Sequence, residues 1–166
     1  HKEYRRQRQM CIRDSTNGYS LARKVLFDKM GLELSDKPEG LGGTLGDVLL
    51  KVHKNYQPAL AKVQHGVIKG LAHITGGGLI DNLPRVLPKE CDALIDCQSW
   101  KVPAIYRIIQ QGGKVDPEEM YQVFNMGIGM TVVVRAKDAA AVSKQLQGKV
   151  IGEIVKGSGI VRLDLE

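Results

Sequence analysis

The chain has 166 residues, 43% hydrophobic and 25% charged, the proportions of one globular domain with room for a core. No apolar run approaches the roughly 20 residues that a bilayer span needs, which sets the expectation of a cytoplasmic protein without membrane partners. The net charge of +6 is uneven: residues 1–14 hold Lys2, Arg5, Arg6, Arg8 and Arg13 against Glu3 and Asp14, so the remainder lacks the clustered basic face of a nucleic-acid binder.

Residues 1–15 (HKEYRRQRQMCIRDS) have neither a helical nor a strand period and read as a disordered leader. Thr16 or Asn17 then caps a helix whose apolar positions are Leu21, Val25, Leu26 and Met30, with Gly31 as its stop. Residues 35–43 form a loop, followed by a short amphipathic turn around Leu45, Val48, Leu49 and Leu50. Pro58 suits a first helical turn, giving a helix through about Val63. GLAHI (70–74) reads as a strand. It runs into Gly76-Gly77-Gly78 and a helix from Leu79 to Val86 that Pro84 shortens or kinks.

DALIDC (92–97) is a second strand, with Asp92 and Asp96 of matching parity on its solvated face. Pro103 opens a helix carrying Ile105, Ile108 and Ile109 and closed by Gly112-Gly113. Asp116-Pro117-Glu118-Glu119 starts another. IGMTVVVR (128–135) has the strongest β-branched run, and Lys137–Leu146 is alanine-rich and helical. KVIGEIVKG and IVRLDL read as a closing hairpin around Gly157-Ser158-Gly159. The order predicts an α+β fold, a sandwich with a mixed β-sheet flanked by helices.

Three stretches bear on chemistry. A strand ending in Thr75, three glycines and a helix make a concave run of backbone N–H groups that an anion can approach; a tight turn needing positive φ explains the glycines equally well. The GK[ST] ending of a P-loop is absent. Asn82 and Arg85, three apart, are placed to share a helix face. His73 is either an acid/base or ligand-bonding group or a satisfied internal side chain. Thr16, Asn17 and Ser20 cluster polar groups at a helix start. Gly127 and Gly129 in FNMGIGM either border a ligand or bend the sheet. Cys11, Cys91 and Cys97 form no CxxC pair and have no histidine at zinc-ligand spacing, so free thiols and no metal site are expected.

TNGYSLARKVLF, GLAHITGGGLIDNLPRVLP and FNMGIGM, in this order and spacing, resemble the C-terminal domain of the phosphoribosylformylglycinamidine cyclo-ligases (AIR synthases) from Thr16 to Glu166. The resemblance implies an ATP- and Mg2+-dependent ring closure of formylglycinamidine ribonucleotide to aminoimidazole ribonucleotide in purine biosynthesis, by a homodimer. It implies substrate or phosphate contacts at Asn17, Thr75, Gly76, Gly77, Gly78, Asn82 and Arg85. No catalytic base is assigned, and His73 stays a candidate. It also implies an N-terminal domain, holding most of the ATP site, that nothing in residues 1–15 replaces, so the chain alone is expected to be inactive.

Two departures stand out: Ser15 precedes the first motif where the family has histidine, and Val52-His53-Lys54-Asn55-Tyr56 stands for a Pro-His-Arg-x-Tyr stretch. The alternatives are a related ATP-using enzyme of small-molecule kinase type, a stand-alone phosphate-ligand-binding module, or an inactive remnant.

Overall fold

The computed structural model describes residues 17–165. The expected leader, Cys11, the Thr16 cap and the Asn17 side chain lie outside what is described. The chain falls into two compact units. Among the described residues, the first comprises 17–53 with Thr75–Gly78 and Val102–Gly127; the second comprises Lys54–Ile74, Leu79–Lys101 and 128–165.

The first unit is helical. Helix α1 (Asn17–Arg23) passes into a π-helical stretch, Lys24–Lys29, where the Met30 N–H reaches back to Val25 O. The predicted apolar positions Val25 and Leu26 are buried, and Gly31, with φ +66°, ends the element as expected. Helix α2 (Leu45–Leu49) is capped by Thr44, which accepts from the Asp47 N–H at 3.1 Å while Asp47 accepts from the Thr44 N–H in return.

Helix α5 (Ala104–Gly113) buries Ile105 and Ile109 and packs against the π stretch. Its terminal glycines make that approach possible: a Cβ on Gly112 would collide with the Met30 sulfur, and one on Gly113 would lie 2.9 Å from a Val25 methyl. The helix closes at the expected glycines, and Lys114, with φ +54°, caps it. Asp116 caps α6 (Pro117–Val123), its carboxylate accepting from the Glu118 N–H.

The second unit carries both sheets. Helix α3 is shorter than expected, Gln57–Leu60, and only turns follow it. Strands β1 (Gly70–His73) and β3 (Met130–Val133) pair antiparallel, with His73 opposite Met130. Their alternation buries Ala72 and Thr131 on one face and leaves Leu71 and His73 exposed on the other. Helix α4 (Gly78–Asn82) begins in the first unit and gives way to a 3-10 turn at Pro84–Val86, as the proline requires. Helix α7 spans Ala136–Leu146.

The predicted closing hairpin does not form. Strand β2 (Cys91–Asp96) sits between β4 (Gly152–Lys156) and β5 (Val161–Asp164), antiparallel to β4 and parallel to β5. The result is a mixed three-stranded sheet beside the antiparallel pair, within the expected α+β class.

The reason for this insertion is Asp92. Contrary to the solvated face expected for it, its side chain is buried, while Asp96 is exposed. The Asp92 Oδ1 accepts from the N–H groups of Ser158, Gly159 and Ile160 at 2.6, 3.0 and 3.1 Å, and Oδ2 accepts from Nε and Nη2 of Arg162. The 157–160 turn is thus folded onto the start of β2 instead of closing a two-strand loop. Gly157 has no alternative there, since a Cβ would overlap the Asp92 carboxylate.

The amides of Ile160 and Ser158, with help from Arg162 and Gly159, hold the Asp92 carboxyl at about 2, below its ordinary 3.8. Because the unfolded chain takes up this proton first as pH falls, the stabilisation is complete above pH 3.8 and drains away towards pH 2. Asp92→Asn is therefore expected to lower the urea midpoint at pH 6 far more than Asp96→Asn. The gap between wild type and Asp92→Asn should narrow when the titration is repeated below pH 3. A gap independent of pH would show that the charge of Asp92 plays no part.

Candidate functional site

The first unit brings together part of each stretch singled out in the sequence: the helix from residue 17, the turn Thr75–Gly78 and the loop 124–127. Residues 75–78 make a turn in which the Gly78 N–H donates to Thr75 O at 3.0 Å, and Gly77, with φ +92°, takes the position that a type II turn reserves for glycine. Gly78, with φ +57°, then starts α4. A Cβ on Gly78 would overlap the Tyr121 carbonyl oxygen and lie 2.8 Å from that of Phe124. Gly18 in α1 faces the same residue, with its Cβ position 3.1 Å from the Phe124 ring. Gly18 of the first motif and Gly78 of the second therefore both close on Phe124 of the third, within the first unit.

This convergence corrects part of the expectation for the glycine run. The Gly78 amide is spent in closing the turn, and the close approach that Gly78 permits is to another stretch of backbone. Helix α4 has only five residues and carries Asp81 in its first turn, so little axial dipole stands behind the bend. Thr75, Gly76 and Gly77 are half-buried, and Gly78 is buried.

Beside Phe124, Asn125 organises the loop. Its Oδ1 accepts from the Tyr106 hydroxyl at 2.7 Å and from the Gly127 N–H at 2.9 Å. Burial, with a smaller contribution from Tyr19, pushes the Tyr106 hydroxyl above its ordinary 10, so it keeps its proton and serves as donor. The Tyr106 and Phe124 rings stack tilted at 5.6 Å, and Trp100 is buried, both in the anchoring roles that aromatic residues take in a core. Gly127, with φ +95°, would meet the Pro103 ring if it bore a Cβ, which accounts for it by a bend and a close neighbour. Sequence reasoning passed over Asn125, although an Asn two residues before a glycine is an Asx-turn signal.

The remaining candidates belong to the second unit. His73 is exposed, so the internal placement considered for it does not hold; the Tyr56 ring meets it edge-on at 6.4 Å, and the Lys54 ammonium lies 5.8 Å from the Tyr56 centroid. Gly129 leaves room for the Tyr56 hydroxyl, which a Cβ would strike. Asn82 is buried at 6% exposure, whereas Arg85 is exposed beyond the break at Pro84. The two do not share one helix face. Among the described residues no group of three or more His, Cys, Asp or Glu side chains is placed to hold a metal ion.

The Gly78 contact generates a paired prediction. Gly42 has φ +76° and open space around its Cβ position, so Gly42→Ala should cost about 1 kcal/mol, the left-handed backbone penalty alone. Gly78→Ala adds the collision with Tyr121 O and should cost more than about 2 kcal/mol in denaturant titration. Equal costs would mean that the 121–124 backbone does not press on Gly78.

Residues 12–164 match the family described as AIR synthase related protein, C-terminal domain, the match beginning inside the stretch read as leader. A phosphoribosylformylglycinamidine cyclo-ligase of Thermoanaerobacter sp. (strain X514) is 46% identical over 153 residues, 89% of this chain and 46% of the relative. The enzyme of that name from Syntrophus aciditrophicus is 43% identical over 150 residues, 87% of this chain and 43% of its own length. That from Geotalea uraniireducens is 46% identical over 147 residues, covering 85% and 42% respectively. The chain thus spans less than half the length of these relatives. With the match running through nearly all of its described residues, the chain belongs to the AIR synthase related protein C-terminal domain family.

Proposed function

We propose that this chain is the C-terminal half of a phosphoribosylformylglycinamidine cyclo-ligase, acting with an N-terminal half that supplies most of the ATP site and the homodimer contact. On this reading residues 16–166 are the domain, and the enzyme is cytoplasmic. The observation that supports it most is the convergence of the three motif stretches on Phe124 within the first unit, in a chain 46% identical to an enzyme so named.

The proposed reaction moves a phosphoryl group from ATP to the formamide oxygen of formylglycinamidine ribonucleotide. The amidine nitrogen then attacks the activated carbon, the C–O bond breaks as phosphate leaves, and proton loss completes the imidazole. The protein's task is to hold the two ends of a flexible substrate together and to offset phosphate charge. Thr75, Gly76 and Gly77, half-buried at the turn, are the proposed contacts of the first unit together with, by its motif, Asn17; Gly78 shapes the turn from behind. Asn82 and Arg85 of the second unit are proposed on the motif alone, and His73 is given no step. ATP is expected to bring Mg2+, for which the described residues gather no carboxylate cluster.

The test joins this chain to the N-terminal half of the Thermoanaerobacter relative and follows ADP and inorganic phosphate separately. The reading predicts equal amounts of both, dependent on formylglycinamidine ribonucleotide, and no turnover by the chain alone. ADP without free phosphate would identify a kinase that leaves the phosphoryl group on its acceptor. Substrate-dependent turnover by the unjoined chain would overturn the division of labour.

A further inference from the structure

We propose that Asn125 is a substrate-binding residue whose carboxamide nitrogen donates a hydrogen bond to an acceptor oxygen of the ribonucleotide; this deepens the cyclo-ligase reading and rests on it. A backbone N–H can only donate, so the Gly127 amide fixes which end of the carboxamide faces it, and that end must be Oδ1. The Tyr106 hydroxyl fills the second acceptor position on the same oxygen.

With the carbonyl end doubly held, Nδ2 is aimed by geometry, and among the described residues no hydrogen bond uses it. The side chain is half-buried, next to the residue on which Gly18 and Gly78 both close. The loop that presents it is also strained, since Met126 sits at φ +50°, a conformation that a non-glycine residue adopts at a cost. A structural Asx turn needs only the oxygen, which aspartate would supply as well. Asparagine adds an oriented pair of N–H donors, which select an acceptor such as a carbonyl or phosphoryl oxygen.

Asn125→Asp separates the two roles. It keeps the acceptor for Tyr106 and Gly127, removes the donors and places a negative charge against the ligand oxygen. In the joined enzyme the expected result is an unchanged melting temperature, an unchanged KM for ATP and a KM for formylglycinamidine ribonucleotide raised about tenfold or more. In the unsubstituted protein the Asn125 side-chain NH2 resonances should move when that substrate is added. If inorganic phosphate alone moves them, the acceptor is phosphoryl; if only the whole substrate does, it is an oxygen of the ribosyl or formyl part, and either supports the assignment.

An unchanged KM with stationary NH2 resonances, in a protein that turns over normally, overturns the role of Asn125 and leaves the cyclo-ligase reading standing. No substrate response anywhere in the unsubstituted protein overturns both.

Discussion

The absence of a side chain at residue 78 lets two stretches of backbone meet. The carbonyls of Tyr121 and Phe124 occupy the space in which a Cβ would sit, and the left-handed φ of +57° suits the same residue type. Once that contact is made, the turn at 75–78 is tied to the end of α6, and Phe124 is set where Gly18 can close on its ring. The order of the chain then places Asn125 between two donors on one oxygen. Each step follows from the one before, and each relies on a glycine that yields room to a neighbour more than on one that flexes.

The second unit is held by a different kind of constraint. A buried carboxylate must have its lone pairs satisfied, and Asp92 meets that need with three consecutive amides and a guanidinium. Arg162 stays 62% exposed while Asp92 is 1% exposed, so the cation keeps its water and only the anion is taken inside. That asymmetry avoids desolvating two charges at once. It also fixes the strand order, because the turn that feeds β5 is captured at the start of β2.

Much of the secondary structure was legible in the sequence. Proline at Pro117 and Pro84, the Asp116 cap and the β-branched run at 130–133 act locally, and local signals survive in a single sequence. The hairpin expectation failed because alternation reports which residues point inward, not which strand lies beside which; Asp92 settled the partner from 66 to 68 residues away. The same parity argument placed Asp92 and Asp96 together but did not reveal that the turn covers only one of them. At the candidate site the glycine runs were visible, yet whether a glycine makes room for a ligand or for a carbonyl is a tertiary fact. Asn82 and Arg85 were separated by the proline lying between them.

Gly18 and Gly78 meet at Phe124, and proton–proton proximity measures that meeting directly. In an NMR spectrum of the chain with Phe124 ring and glycine α-protons assigned, cross-relaxation between the Phe124 ring and the Gly18 α-protons should be strong, because the Cβ direction of Gly18 points at ring carbons 3.1 and 3.2 Å away. A Phe124 ring that shows no such cross-peak and relaxes instead with protons of other segments would contradict the account.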